Sequence, residues 1–86
     1  MTLKEHFETQ VVAAQQLATR PSNEDLLMIY ALYKQATVGD NQTEAPGGFD
    51  FKAAAKYNSW KKLSGITKEE AMQRYIDLID RLQNAN

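Results

Sequence analysis

Tyr30, Tyr33 and Lys34 stand at positions i, i+3 and i+4, so in a helix two phenols and an ammonium group project from adjoining rows of one face. A lysine beside phenols can anchor a phosphate, and an aromatic plane left over can stack a purine. A core reading competes: both tyrosines buried, with the lysine reaching past them to water. What favours chemistry is the position of Lys34 at the end of the otherwise apolar run from Leu26 to Tyr33. Further along, Lys52 and Lys56 are spaced i,i+4, Lys61 and Lys62 follow, and no acidic residue occurs between Asp50 and Glu69. That segment is either a solvated lysine face or an anion patch opposing Lys34. Tyr75 lies on an apolar stripe; if it is buried its hydroxyl needs a partner, and a ligand phosphate is one candidate.

The residues that catalysis would require are scarce. The chain has no cysteine and a single histidine, His6, with no serine placed to form a relay with it, so a solvent-facing histidine is the expectation. No metal-ligand cluster, glycine-rich phosphate loop or nucleophile elbow is present, and Gly47-Gly48 after Pro46 reads as a turn. The expectation is a protein that is not an enzyme and needs no cofactor. The formal net charge of -1 argues against a nucleic-acid partner, which would require a broad cationic surface. The absence of cysteine excludes a disulfide framework, and the N-terminal MTLKEHFETQ has no apolar signal region, so a cytoplasmic location is expected.

The elements that would position these side chains are helices. At 86 residues with 43% hydrophobic and 24% charged side chains, the chain has the size and composition of one modest globular domain, here residues 1–86. A first helix is predicted from Leu3 to Leu17, with Leu3, Phe7, Val11, Ala14 and Ala18 on one stripe. A second starts at Ser22, with Asp25 three residues on as in a capping box, and stops at Gly39. Its run of eight apolar residues could be a buried strand on periodicity alone, but the cap and the lack of a partner strand favour a central helix. Gly39 to Gly48 reads as a loop. Asp50 caps a third helix, FKAAAKYNSWKKL, with Ala53, Tyr57 and Trp60 on one face. Thr67 and Glu70 open a fourth, carrying Ala71, Met72, Tyr75, Ile79 and Leu82 inward and the pairs Glu70/Arg74 and Asp77/Arg81 outward.

Four segments together, YALYKQATVGD (Tyr30 to Asp40), Pro46-Gly47, DFKAAAKYNSW (Asp50 to Trp60) and KEEAMQRYI (Lys68 to Ile76), resemble the acyl-CoA-binding protein family. The resemblance implies an all-α, four-helix up-down-down-up bundle that holds one long-chain acyl-CoA without covalent change and serves as an intracellular carrier. It implies that Tyr30, Lys34 and Lys56 hold the 3'-phosphate, that Tyr33 lies against the adenine, that Tyr75 is another head-group contact, and that Lys52 and Phe7 are further ligand contacts. Gln15 occupies a ligand-binding position where relatives commonly carry lysine. Ala45 stands where many have a basic residue, and Tyr57 where many have tryptophan. A monomer is expected, with transient contacts to acyl-CoA-using enzymes or membrane surfaces. The rival reading is a helical interaction domain whose groove takes a partner's amphipathic helix. An acyl carrier protein is set aside, because none of Ser22, Ser59 and Ser64 sits in an Asp-Ser-Leu context.

Overall fold

The computed structural model describes residues 1–84. It contains four helices, α1 (Leu3–Ala14), α2 (Asn23–Thr37), α3 (Phe51–Lys61) and α4 (Lys68–Gln83), and no strand among the described residues. Local chemistry fixes where each begins. The Ser22 hydroxyl accepts from Asp25 N–H, Asp50 from Ala53 N–H and Thr67 from Glu70 N–H, each satisfying an amide that the first helical turn leaves unpaired. The reciprocal capping box forms at α1, where Thr2 and Glu5 exchange both bonds; these bonds hold the Glu5 carboxyl below its usual range.

Three expectations are corrected. The capping boxes expected at Ser22/Asp25 and Thr67/Glu70 form only in half, because the Asp25 and Glu70 carboxylates turn to Arg81 and Arg74 instead of back to the cap. The first helix ends at Ala14 rather than Leu17, because Gln15 and Gln16 donate back only three residues, to Val12 and Ala13, tightening the chain into a turn. Leu17 thereby reaches a hollow it shares with Leu82 of α4, while Ala18 is exposed. Arg81 does not pair with Asp77. It reaches Asp25 of α2 at 3.0 Å, and Asp77 accepts from Gln73 instead. The other surface pair, Glu70 with Arg74, forms at 3.2 Å.

Side-chain pairings establish the topology. Phe7 meets Tyr75 and Gln10 donates to Asp80 and Gln83, so α1 and α4 run the same way. Tyr30 lies with Lys56 and Lys34 with Trp60, so α2 and α3 are parallel. Asp25 meets Arg81 near one end of the α2–α4 pair while Thr37 shares a hollow with Lys68 at the other, so these helices are antiparallel. The result is up-down-down-up. The helix contacts are α2 with α4, α1 with α4, and α2 with α3. The core is drawn mainly from α4 (Ala71, Tyr75, Ile76, Leu78, Ile79) and α2 (Ala31, Leu32, Ala36), closed by Phe7, Trp60 and Leu63. At about 25 cal/mol per Å² of apolar area, this burial is the main stabilising term.

The apolar run of α2 is only partly used by this core. Ala31 and Leu32 are buried, but Leu26, Leu27, Ile29 and Tyr30 are half-buried and Met28 is exposed. The remaining apolar surface faces clefts on either side, because α1 leaves α2 uncovered on one flank and α3 covers only part of the other.

The α2–α3 loop is tied to both helices. The Trp60 indole N–H donates to the Gly39 carbonyl at 2.8 Å, the Lys61 ammonium to the Asn41 carbonyl at 3.1 Å, and the buried Asn41 amide to the Tyr57 carbonyl. Asp40 accepts from Gly65 N–H and from the Gln35 amide, which hold its carboxyl below the usual range. Gly39 turns the chain out of α2 at a φ of 97°, a conformation that costs a β-carbon-bearing residue about 1 kcal/mol or more.

Candidate functional site

Three clefts lie along α2, and Tyr30 lines all of them. The first, about 320 Å³, opens between α2, the Gly39–Gly48 loop and α3. Lys34 and Lys56 enter it beside Asn41, Thr43, Glu44 and Tyr57. The second, about 360 Å³, separates α1 from α2 and is walled by Val11, Leu26, Ile29, Tyr33 and Tyr75, with Gln15 at the C-terminal end of α1. The third, about 650 Å³, runs between α2 and α3, with Leu26, Leu27 and Ile29 as its apolar lining and Arg20, Lys52 and Lys56 as cations. These volumes fall in the ordinary range for small-molecule sites.

The two lysines of the first cleft are held in the same manner. The Lys34 ammonium sits 5.0 Å from the Trp60 ring centroid and the Lys56 ammonium 5.3 Å from that of Tyr30. An aromatic face attracts an ammonium without neutralising it, and neither lysine joins an ion pair among the described residues. Their charge is thus available to an anion, offset in part by Glu44 in the same cleft. Spacing sets this up: Tyr30 and Lys34 are one turn apart on α2, Lys56 and Trp60 one turn apart on α3, and the parallel helices bring the two pairs into register.

Tyr33, Phe7 and Tyr75 form an aromatic stack at the second cleft. The Phe7 and Tyr33 rings lie 6.2 Å apart and nearly parallel, and Phe7 meets Tyr75 edge-on at 5.0 Å. Phe7 is buried and supports Tyr33 from behind, whereas Tyr33 keeps an exposed surface. Burial, with the Tyr33 phenol adding to it, pushes the Tyr75 hydroxyl up to about 12, so at neutral pH it is a proton donor.

Of the residues singled out from the sequence, Tyr30, Lys34, Lys52, Lys56, Tyr33, Tyr75 and Gln15 line these clefts, while Phe7 lies beneath Tyr33. Sequence reasoning did not anticipate Arg20, Asn41, Thr43, Glu44 or the platform role of Trp60. Leu26 and Ile29 carried a signal, being more apolar surface than one small core can bury; Glu44 and Arg20 carried none, since only the tertiary arrangement gives each its cleft. His6 is exposed and lines none of these clefts. No cluster of residues suited to a metal ion occurs among the described residues.

The fold and the clefts together define a small all-helical binding protein with an open, cation-bearing apolar site. Residues 4–79 match the family described as acyl CoA binding protein, and the chain belongs to that family. It is 49% identical over 76 residues to an acyl-CoA-binding protein of Saccharomyces cerevisiae, covering 88% of this chain and 87% of the relative. Over 85 residues it is 47% identical to one from Brassica napus, covering 99% and 92%. Among solved structures, the crystal structure of Oryza sativa acyl-CoA-binding protein 2 superposes with a TM-score of 0.93 at 44% identity, covering 98% of this chain and 93% of that one. The crystal structure of the homologue from Moniliophthora perniciosa gives 0.87 at 35% identity, covering 95% and 80%.

Proposed function

We propose that the whole chain acts as one acyl-CoA-binding domain, a monomeric carrier that takes up a long-chain acyl-CoA ester without chemical change and delivers it through transient contacts with enzymes or membranes. The observation that carries this reading is the place of Tyr30, shared by the two-lysine cleft and the two apolar clefts. A ligand with a phosphorylated nucleotide at one end and a hydrocarbon chain at the other fits that adjacency. Lys34 and Lys56 would donate to phosphate, with Tyr33 and Tyr75 at the head group, Lys52 and Gln15 as flanking contacts, and Phe7 holding the Tyr33 ring from behind.

The two ends contribute differently. Each buried methylene is worth about 0.8 kcal/mol, so a chain of roughly a dozen carbons supplies on the order of 10 kcal/mol before the cost of ordering it. Each charge-assisted bond to phosphate adds about 1.5 to 3 kcal/mol and selects CoA esters over free fatty acids. The clefts offer ammonium and guanidinium groups, phenols, amides and the single carboxylate of Glu44, and the Thr43 hydroxyl is engaged by Asn41. That chemistry suits holding a thioester rather than cleaving it, and the proposed role is to form a cytoplasmic pool of the bound ester.

Isothermal titration with palmitoyl-CoA, octanoyl-CoA, free CoA and palmitate separates head from tail. Affinity should fall from palmitoyl-CoA to octanoyl-CoA and further for free CoA and palmitate. Equal, weak heats for all four would favour a helix-binding interaction domain.

A further inference from the structure

The most exposed apolar side chains within the interior of the sequence are Phe49 and Phe51, at 90% and 79% exposure. They flank Asp50 at the start of α3 and line none of the clefts described above. Folding contributes nothing to keep two large aromatic rings in water, and such a pair marks a surface for contact with something else. From Phe51 onward, α3 turns one face outward. Phe51, Ala55, Asn58 and Lys62 fall within a narrow arc at 3.6 residues per turn, and of these Phe51, Asn58 and Lys62 are exposed. Lys52 stands about 100° round the helix from Phe51, on the flank towards α2, where with Ala55, Arg20 and Lys56 it borders the third cleft. The carboxylate at this corner, Asp50, caps the helix by accepting from Ala53 N–H, and no acid follows until Glu69.

We propose that Phe49 and Phe51, with Lys62 along the outward arc and Lys52 on its flank, form a docking surface for an anionic lipid bilayer. The rings enter the boundary between head groups and acyl chains, and Lys52 and Lys62 meet the head-group phosphates. A second copy of the chain fits less well. In a symmetric pair the four phenylalanines would bury about 600 to 1,000 Å² together, at most the roughly 1,000 Å² in total that a specific interface requires, and self-association would set like-charged lysines against each other. The inference gives a surface and a lipid chemistry to the membrane contact proposed above, and it places that surface beside the apolar cleft.

The test is flotation of the ligand-free full chain with vesicles of phosphatidylcholine alone, and of phosphatidylcholine and phosphatidylserine in equal amounts. Binding should be several-fold greater on the anionic vesicles and should weaken with salt. The variant carrying Phe49→Ser and Phe51→Ser, in which the Asp50 cap is retained, should lose about tenfold in vesicle binding while its palmitoyl-CoA titration stays at the parent value. Lys62→Gln should lower the anionic preference alone. Equal binding to both vesicle types, or undiminished binding by the double serine variant, overturns the proposal. So does a concentration-dependent dimer in sedimentation that the serine substitutions dissolve. Because acyl-CoA affinity is measured without vesicles, failure of the docking surface leaves the carrier reading intact.

Discussion

The Lys34 ammonium lies 5.0 Å from the centroid of the Trp60 ring, while the indole N–H of the same Trp60 donates to the Gly39 carbonyl at 2.8 Å. One side chain thus ties the α2–α3 loop and supports the cation that the loop's cleft presents. The arrangement separates two roles: Trp60 holds the architecture, and Lys34 carries charge.

That separation predicts the outcome of Lys34→Ala. Losing an ammonium over an aromatic face should cost only about 0.5 to 1 kcal/mol of stability, seen as a small shift in a urea midpoint. Affinity for palmitoyl-CoA should fall at least several-fold, and by about tenfold or more if a full charge-assisted bond to phosphate is lost. Unchanged calorimetric affinity would detach Lys34 from the ligand.

Alkaline stability should report Tyr75. Its folded-state value, about 12, lies above the ordinary 10, so the unfolded chain ionises first. The contribution is fully present below pH 10 and is lost as pH rises from there towards 12. With solvent screening allowed for, the loss is on the order of 1 kcal/mol. Urea unfolding at neutral pH and near pH 11 measures it, and Tyr75→Phe should flatten the difference. An unaltered pH dependence in that variant would assign the alkaline loss to other groups.

Asn41→Ala should destabilise the protein by about 1 to 3 kcal/mol, because the buried amide donates to the Tyr57 carbonyl and its oxygen accepts from both the backbone and the hydroxyl of Thr43. With the loop loosened, the cleft shared by Lys34 and Lys56 should be less ordered. Thermal unfolding tests the first statement and palmitoyl-CoA titration the second. A variant with both values at the parent level would remove Asn41 from the clamp.

Much of this was legible in the residues. Ser22, Asp50 and Thr67 mark the starts of three helices and cap them, and the pairing of Tyr30 with Lys34 on one face survives into the cleft. What the residues did not reveal shares a pattern. Arg81 has an acid one turn away on its own helix, yet it selects Asp25 on another. Gln10, Gln35 and Asn41 are polar residues that no periodicity would place inside, yet all three are buried. The Gln35 amide nitrogen is matched by Asp40 and the Ile66 carbonyl, while its buried oxygen has no partner.

By itself the sequence determined helix identity, helix starts and the residue types available for a nucleotide and a fatty chain, because caps and apolar stripes depend on neighbours three and four positions away. Only the tertiary structure decided that α1 packs on α4 and leaves α2 partly bare, that Lys34 and Lys56 share one cleft, and that Phe49 and Phe51 stay in water. Those outcomes follow from which helices compete for the same apolar surface, a choice made between residues tens of positions apart.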